Sequence, residues 1–296
     1  MTDVKYPKGY LESYRLDGCV NIDTHTSFWD KNSYPRFQEK LKEFKSFLVD
    51  LVEKGESKTF YKFGDGDYYF LQKKAVGSAT PGKRALGKSY DEIDHQQFVD
   101  GAQLCDYYTC EIYPENITHY KEVIQNDIDF PAEYGYGLVA NKWLLQTFAG
   151  SIGLIGADTK INLIRELMGA EQYQEFLGIE KFEDYITIPQ KFACDDLDTT
   201  EKMVGEQLKN STSKIFLVGI GHVKSGLLHR LKKYTDAVFL DVGSSIDAIA
   251  GIIDIKRPYF GDWINYQIDE DPIYNNVDYL QYNPIGKEVI LERVEE

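Results

Sequence analysis

Short apolar runs alternate with amphipathic stretches through the second half of the chain, and this alternation is the strongest constraint on its fold. Four runs are typical of buried strands: "GSIGLIGA" (150–157), "DYITIP" (184–189), "KIFLVGIG" (214–221) and "AVFLDVG" (237–243). Three stretches between them are typical of helices: "KINLIRELM" (160–168), "TTEKMVGEQLKN" (199–210) and "VKSGLLHRLKKY" (223–234). This β-α-β-α succession predicts an α/β fold with a doubly wound, mainly parallel sheet and helices on both faces.

The segments before this region extend the pattern. "FQEKLKEFKSFLVDLVE" (37–53) places apolar residues at spacings of three and four, which predicts an amphipathic helix ended by Gly55. "KTFYKF" (58–63) predicts a strand that runs into a turn, "GDGD" (64–67). We expect Asp198 or Thr199 to cap the helix at 199–210.

The chain is expected to form a single domain over residues 1–296. Its core spans about 57–255, after an irregular lead-in and helix at 1–56 and before a Tyr-rich C-terminal extension at 256–296. Ligands of doubly wound sheets bind beyond the carboxyl ends of the strands. The segments "GDGD", "GIGH" and "DVGSS" are all expected at that edge.

Charge and apolar patterning narrow the classes of function. With 33 basic and 48 acidic side chains the formal net charge is −15, which disfavours a nucleic-acid binder. No apolar run approaches the roughly 20 residues that span a bilayer, and the first residues lack the apolar core of a signal peptide. The four cysteines form no CxxC pair, which fits a reducing compartment. We therefore expect a cytoplasmic protein without a membrane span.

Two carboxylates, Asp65 and Asp67, flank Gly66 directly after the strand predicted at 58–63. Mg²⁺ and Mn²⁺ prefer oxygen ligands, commonly one or two carboxylates together with substrate phosphates. A tight turn at Gly66 would let both carboxylates face the same space. The alternative is a solvated Asp-Gly hairpin turn, which is common between strand-like residues. The residues alone leave both open.

The stretch "FYKFGDGDYYFL" (60–71) resembles the "RfGDGE" motif of the GT-D glycosyltransferases, a single-domain Rossmann-like family once labelled a domain of unknown function. Later blocks are similar to that family's in order and spacing: "GLIGADTKINLIREL", "DYITIP", "KIFLVGIGHVKSGLLHRLKKY" and "AVFLDVGSSIDAIAG". The resemblance covers about 57–255. It implies a Rossmann-like sheet of the GT-D type and the transfer of a sugar from a nucleoside diphosphate donor.

The resemblance also implies roles for the motif residues. Asp65 and Asp67 stand where the family's D-x-E coordinates a divalent metal, Mn²⁺ or Mg²⁺, and the donor diphosphate. Gly64 and Gly66 would lie against the same phosphates. Asp67 replaces the usual Glu, which shortens its reach by one methylene. Lys62 replaces the usual Arg and would approach a phosphate as a point charge instead of a bidentate fork.

Two further segments carry basic candidates for the donor site. "GSATPGKRALGKSY" (77–90) contains Lys83 and Arg84 and is either a loop that closes over the donor pyrophosphate or a solvated loop. "GIGHVKSG" (219–226) places His222 and Lys224 at a strand-to-helix junction, which favours an anion. The alternative for the histidine is a capping or packing role.

"DVGSSIDAIAG" (241–251) places Asp241, Ser244 and Asp247 at a strand end. Ser244 is a candidate contact to the donor, and Asp241 or Asp247 is a candidate base that deprotonates the acceptor if the reaction inverts configuration. The alternative for Asp247 is an acid in the first turn of a helix.

Together these features predict a metal-dependent glycosyltransferase, with a UDP-sugar donor favoured over a GDP-sugar. The acceptor would be a hydroxyl of a glycan or a glycosylated protein. The alternative is a non-catalytic module of the same fold that binds a nucleotide or a glycan. The sequence leaves the sugar, the stereochemistry and the formation of a homo-oligomer open.

Overall fold

The computed structural model describes residues 15–16, 19–20, 37–74, 88–111, 114–140, 142–189 and 192–251. The strands of these segments are β1 (Arg15–Leu16), β2 (Cys19–Val20), β3 (Lys58–Phe63), β4 (Tyr107–Cys110), β5 (Phe130–Pro131), β6 (Ile152–Ala157), β7 (Asp184–Ile188), β8 (Ile215–Gly219) and β9 (Val238–Asp241). The α-helices are α1 (Phe37–Glu53), α2 (Asp65–Leu71), α3 (Gln96–Gly101), α4 (Pro114–Val123), α5 (Ala132–Ala140), α6 (Trp143–Thr147), α7 (Asp158–Leu167), α8 (Glu171–Leu177), α9 (Leu197–Leu208), α10 (Lys224–Leu227) and α11 (Ser245–Ile249).

Strands β3 to β9 form one seven-stranded sheet in the order β5-β4-β3-β9-β8-β6-β7. Every pair of neighbours in it is parallel. The α/β fold class and the parallel sheet predicted from the sequence are therefore confirmed. Strands β1 and β2 pair separately and antiparallel.

Helices cover both faces of the sheet because successive strand residues point to opposite sides. Phe60 belongs to the hydrophobic cluster formed with residues of α1, α5, α6, α7, α8 and α11 on one side, which we call the α1 face. Tyr61 packs with α2, α3, α4, α9 and α10 on the other, the α9 face. Burial on both sides explains why the central strands are continuous apolar runs.

Three local expectations were wrong. The segment "GDGD" is not a turn between strands, because the chain passes from β3 through Gly64 into α2. The α9 helix starts at Leu197, since Asp196 caps it by accepting a hydrogen bond from the N–H of Thr199 at 2.9 Å. The helix expected at 223–234 is one turn of α-helix between 3₁₀ segments at Gly221–Val223 and Leu228–Lys233.

A glycine within α10 explains part of this irregularity. Gly226 lowers helix propensity and lets the backbone approach its neighbours, since a Cβ there would lie 2.4 Å from Leu197 and 3.1 Å from Phe98. By contrast, α1 has its predicted bounds, and Gly55 follows it with φ of +67°.

No helix within the described part of the chain combines the length and the apolar character needed to cross a bilayer. Apart from residues 15–16 and 19–20, the irregular lead-in before α1 lies outside the described residues, as does the C-terminal extension at 256–296.

Candidate functional site

The motif "GDGD" is the first turn of a seven-residue helix. Gly64 is the N-cap, and the Asp67 carboxylate three residues later accepts a hydrogen bond from the Gly64 N–H at 2.8 Å. This contact is half of a capping box, and acids at both ends of the first turn also favour the helix dipole. Gly66 is helical, so the tight turn expected of it is absent.

The two carboxylates of the motif do not face each other. Residues two apart on a helix project to different sides, since each step turns the chain by about 100°. Asp65 is exposed and its Oδ1 accepts a hydrogen bond from the Gly66 N–H at 2.7 Å. Asp67 is only 5% exposed and points into the protein.

Asp67 meets a buried lysine. The Lys224 Nζ lies 3.0 Å from Asp67 Oδ2 and 2.9 Å from Asp241 Oδ2. The same ammonium also donates to the backbone carbonyl of Lys62. Lys224 begins α10, Asp241 ends β9, and Lys62 is the last residue but one of β3, so one side chain connects three elements.

Asp241 links the neighbouring strands β3 and β9 at the carboxyl edge of the sheet. Its Oδ2 accepts a hydrogen bond from the Lys62 N–H at 3.2 Å, and its Oδ1 accepts one from the Gly243 N–H at 3.0 Å. With Lys224 added, the buried carboxylate has three donors. A charged group this well supplied with donors is stable in the interior.

Tyr61 and Ser225 form the floor of this cluster. The Tyr61 hydroxyl lies 2.8 Å from Ser225 Oγ and donates to Asp67 Oδ1 at 3.3 Å. Lys224 Nζ lies 4.9 Å from the centre of the Tyr61 ring, within cation–π distance. Burial and the negative charge of Asp67 raise the pKa of Tyr61 well above its usual value, so the hydroxyl keeps its proton.

The lysine stays charged in spite of its position. Burial alone would lower the pKa of Lys224, but the carboxylates of Asp241 and Asp67 outweigh it and raise the pKa above its usual value. Lys224 is therefore a charged ammonium that lies between the side chains of Asp67 and Asp241.

Lys62 is a second cation of the site, on the α1 face of the sheet. Burial would lower its pKa, but Tyr136, Glu111 and Asp241 raise the pKa well above the usual value. Its ammonium donates a hydrogen bond to the Tyr136 hydroxyl, which in turn donates to Glu111 Oε1 at 3.2 Å. The Lys62 Nζ itself lies 3.8 Å from Glu111 Oε1, beyond hydrogen-bond distance.

Two glycines make room for this side chain. A Cβ at Gly64 would lie 3.4 Å from Lys62 Nζ, and a Cβ at Gly243 would lie 3.4 Å from its Cδ. Gly243 has φ of +49°, a conformation that favours glycine. Lys62 thus lies between the backbone turns that follow β3 and β9, with no side chain from either glycine against it.

The chain leaves β3 and β9 toward opposite faces of the sheet. Phe70 of α2 packs on the α9 face, whereas Ile249 of α11 packs on the α1 face. Neighbouring parallel strands whose following segments diverge in this way leave a crevice at their carboxyl ends, and such switch points are where doubly wound sheets bind ligands. Lys62, Asp67 and Asp241 lie at or just beyond the carboxyl ends of these two strands, where the topology predicts such a crevice.

His222 lies at its edge. The imidazole stacks on Phe70 with ring centres 4.8 Å apart, and a Cβ at Gly66 would lie 3.0 Å from its Cε1. Its Nδ1 is 4.0 Å from Asp67 Oδ1 and has no hydrogen-bond partner among the described residues. Burial lowers the pKa of His222, so the ring is neutral near pH 7 and is able to accept a proton.

The remaining predicted site residues either follow Gly243 in α11 and its N-cap or lie outside the described residues. Ser244 is the N-cap of α11 without a capping hydrogen bond from its side chain, and Asp247 forms an ion pair with Lys160 of α7. Lys83 and Arg84 lie outside the described residues.

Sequence reasoning missed Tyr61, Glu111, Tyr136 and Ser225. Glu111 directly follows β4, and an acid after a strand is a recognisable signal. It was missed because the strand "YYTC" is too short to show a period and was itself not predicted. Tyr61 was read as part of β3, but nothing in the sequence indicates that its hydroxyl reaches Asp67.

The described residues do not fit the expected two-carboxylate metal site. No group of three or more His, Cys, Asp or Glu within them is arranged to hold a metal ion. Asp65 and Asp67 diverge, and Lys224 already provides the cation next to Asp67. A requirement for Mn²⁺ or Mg²⁺ stays a prediction from the resemblance.

Comparison with known proteins gives a weak structural likeness. No family model and no curated protein matches the chain. A solved structure described as a new glycosyltransferase (DUF1792) from Streptococcus sanguinis is similar at 14% sequence identity and a TM-score of 0.47. The likeness covers 78% of this chain and 95% of that one.

Proposed function

We propose that the chain is a glycosyltransferase that moves a sugar from a nucleoside diphosphate donor to a hydroxyl of a glycan or a glycosylated protein. The observation that carries the proposal is the position of Lys62 next to Gly64 and Gly243, at the topological switch point between β3 and β9. The ordered series of GT-D-like blocks along residues 57–255 supports the same class.

In this proposal Lys62 contacts the donor diphosphate. Its ammonium is hydrogen-bonded to Tyr136 and lies 3.8 Å from Glu111 Oε1, whereas the ammonium of Lys224 contacts two carboxylates and a backbone carbonyl. Gly64 and Gly243 leave room for the Lys62 side chain to lie at this edge of the sheet. A cation fixed beside the leaving diphosphate stabilises the charge that builds up as the sugar departs.

The acceptor hydroxyl must lose a proton during transfer. Asp241 is a poor base in this arrangement, because its oxygens already take two backbone N–H groups and the Lys224 ammonium. Asp247 is partly exposed and pairs with Lys160, which leaves it as the aspartate for this role if configuration inverts. His222, neutral and at the crevice edge, is a second group able to take the proton.

Calorimetric titration of UDP and of GDP tests the donor site. We expect saturable binding of one nucleotide, with UDP favoured, and at least tenfold weaker binding in Lys62→Met. Lys209→Met is the matched control, since Lys209 is exposed at the end of α9 and pairs only with Glu206 among its described contacts.

Transfer is then measured as nucleoside diphosphate release from a panel of UDP- and GDP-sugars with oligosaccharide acceptors. Release that depends on the acceptor is the expected result. Binding without release from any donor would favour the non-catalytic module, and a folded protein that binds neither nucleotide would refute the proposed site.

A further inference from the structure

We infer that Lys224 supplies, within the protein, the positive charge that a divalent ion would otherwise bring, so that nucleotide binding here does not need a metal. The inference rests on the proposed function and deepens it by defining the cofactor requirement of the same site.

The oxygens around Lys224 form the ligand set of a hard cation. Its Nζ contacts Asp67 Oδ2 at 3.0 Å, Asp241 Oδ2 at 2.9 Å and the backbone carbonyl of Lys62. Two carboxylates and a carbonyl are typical partners of Mg²⁺ and Ca²⁺. An ammonium group has three N–H donors, and here each has one oxygen.

The ammonium is held in place from several sides. The side chain of Lys224 is only 8% exposed, and the Tyr61 ring lies below the charge at 4.9 Å. The next residue, Ser225, forms a hydrogen bond with the Tyr61 hydroxyl, and this contact holds the start of α10 against β3. A metal ion at Asp67 would have to displace a cation that already has three partners and replace all of them.

Asp65, the other acid of the motif, does not provide an alternative metal site together with Asp67. Asp65 projects to a different side of α2 and lies in solvent, where its Oδ1 accepts the Gly66 N–H. A chelate formed by both motif carboxylates would therefore require α2 to unwind at its first turn. The carboxylate that faces Asp67 across the cluster is Asp241, and Lys224 lies between the two.

Removal of the lysine is predicted to open a metal site. Lys224→Met keeps an unbranched side chain that is one atom shorter, and it leaves Asp67, Asp241 and the Lys62 carbonyl without the ammonium. Two buried carboxylates without a counter-ion are costly, so they should recruit a divalent ion from solution. We expect Mn²⁺ to bind Lys224→Met at least tenfold more tightly than the wild type and to raise the Tm of the variant alone.

The test combines two measurements on the full chain. First, Mn²⁺ is titrated into the wild type and into Lys224→Met without nucleotide, and Tm is measured with Mn²⁺ and with EDTA. Second, UDP and GDP are titrated into the wild type under both conditions. We expect the wild-type nucleotide Kd to agree within about twofold between Mn²⁺ and EDTA, because ammonium groups of the protein supply the positive charge.

Either measurement is able to overturn the inference. Nucleotide binding by the wild type that is tenfold tighter with Mn²⁺ would do so, as would Mn²⁺ binding of equal affinity in wild type and variant. If the wild type binds no nucleotide in either condition, the proposed function fails, while the Mn²⁺ titration still decides the role of Lys224. Should Lys224→Met not fold, Lys224→Arg keeps the charge and is expected to bind nucleotide without metal.

Discussion

Asp241→Asn removes one charge from the cluster while nearly preserving the shape of the side chain. The carboxylate accepts the N–H groups of Lys62 and Gly243 and pairs with Lys224 at 2.9 Å. An amide has one oxygen, so one of the two backbone donors must face its NH₂ group. We expect this backbone donor to lose its hydrogen bond in the variant.

The expected loss of stability in Asp241→Asn depends on the partners that Lys224 and the backbone donors keep. Breaking a buried ion pair by removing one member costs about 3 to 5 kcal/mol, and a hydrogen bond to a charged group is worth about 1.5 to 3 kcal/mol. Lys224 keeps Asp67 as a counter-ion, which places the variant at the lower end. We expect the free energy of unfolding to fall by about 2 to 4 kcal/mol.

Urea unfolding followed by circular dichroism measures this loss. Asp236→Asn, at an exposed position just before β9, is the control and should change stability by less than about 0.5 kcal/mol. The double variant with Lys224→Met should cost less than the sum of the two single changes, with a coupling of about 1 to 3 kcal/mol. Additive effects, or a loss at Asp241 no larger than the control's, would refute the coupling between Lys224 and Asp241.

Three further outcomes test other parts of the structure. Gly101→Ala would place a Cβ 2.5 Å from the carbonyl oxygen of Ser225, so urea unfolding should show a loss of about 1 to 3 kcal/mol; equal stability would contradict this close packing. Burial and nearby cations lower the pKa of His229 to about 4, so the unfolded state binds this proton first. Stability should therefore fall as pH falls from about 6.5 toward 4, and His229→Gln should flatten that part of a Tm-against-pH curve; an unchanged curve would exclude the ring as its cause. Burial raises the pKa of the Cys105 and Cys110 thiols to about 12, so iodoacetamide at pH 8 should label neither before unfolding, as mass spectrometry would show.

The central strands of the sheet were predictable because their environment is uniform. Strands β6, β8 and β9 are covered on both faces, so each is an uninterrupted apolar run. The edge strand β5 has two residues, one of them Pro131, and has no pattern that periodicity could detect. Prediction therefore succeeded at the centre of the sheet and failed toward the β5 edge.

The candidate site was predictable in its location but not in its contacts. Asp67, Lys224 and Asp241 were all expected at the carboxyl ends of strands, and the structure brings them together. The ion pairs depend on how far α2 and α10 extend past the sheet, which is set by tertiary packing. The helix start at Gly64 did have a local signal, an acid three residues on, but the common Asp-Gly turn signal competed with it.

The sheet order has a consequence for how the chain is made. Strand β9 is the link between β3, the first strand of the sheet, and the group β8-β6-β7. Lys62 and Asp241, which meet there, are 179 residues apart in sequence. Contacts of such long range form slowly, and a chain that is still being synthesised has no partner for the inner edge of β3 until β9 is complete. A ribosome-bound intermediate therefore has two unjoined half-sheets and no crevice, and the site is among the last features to assemble.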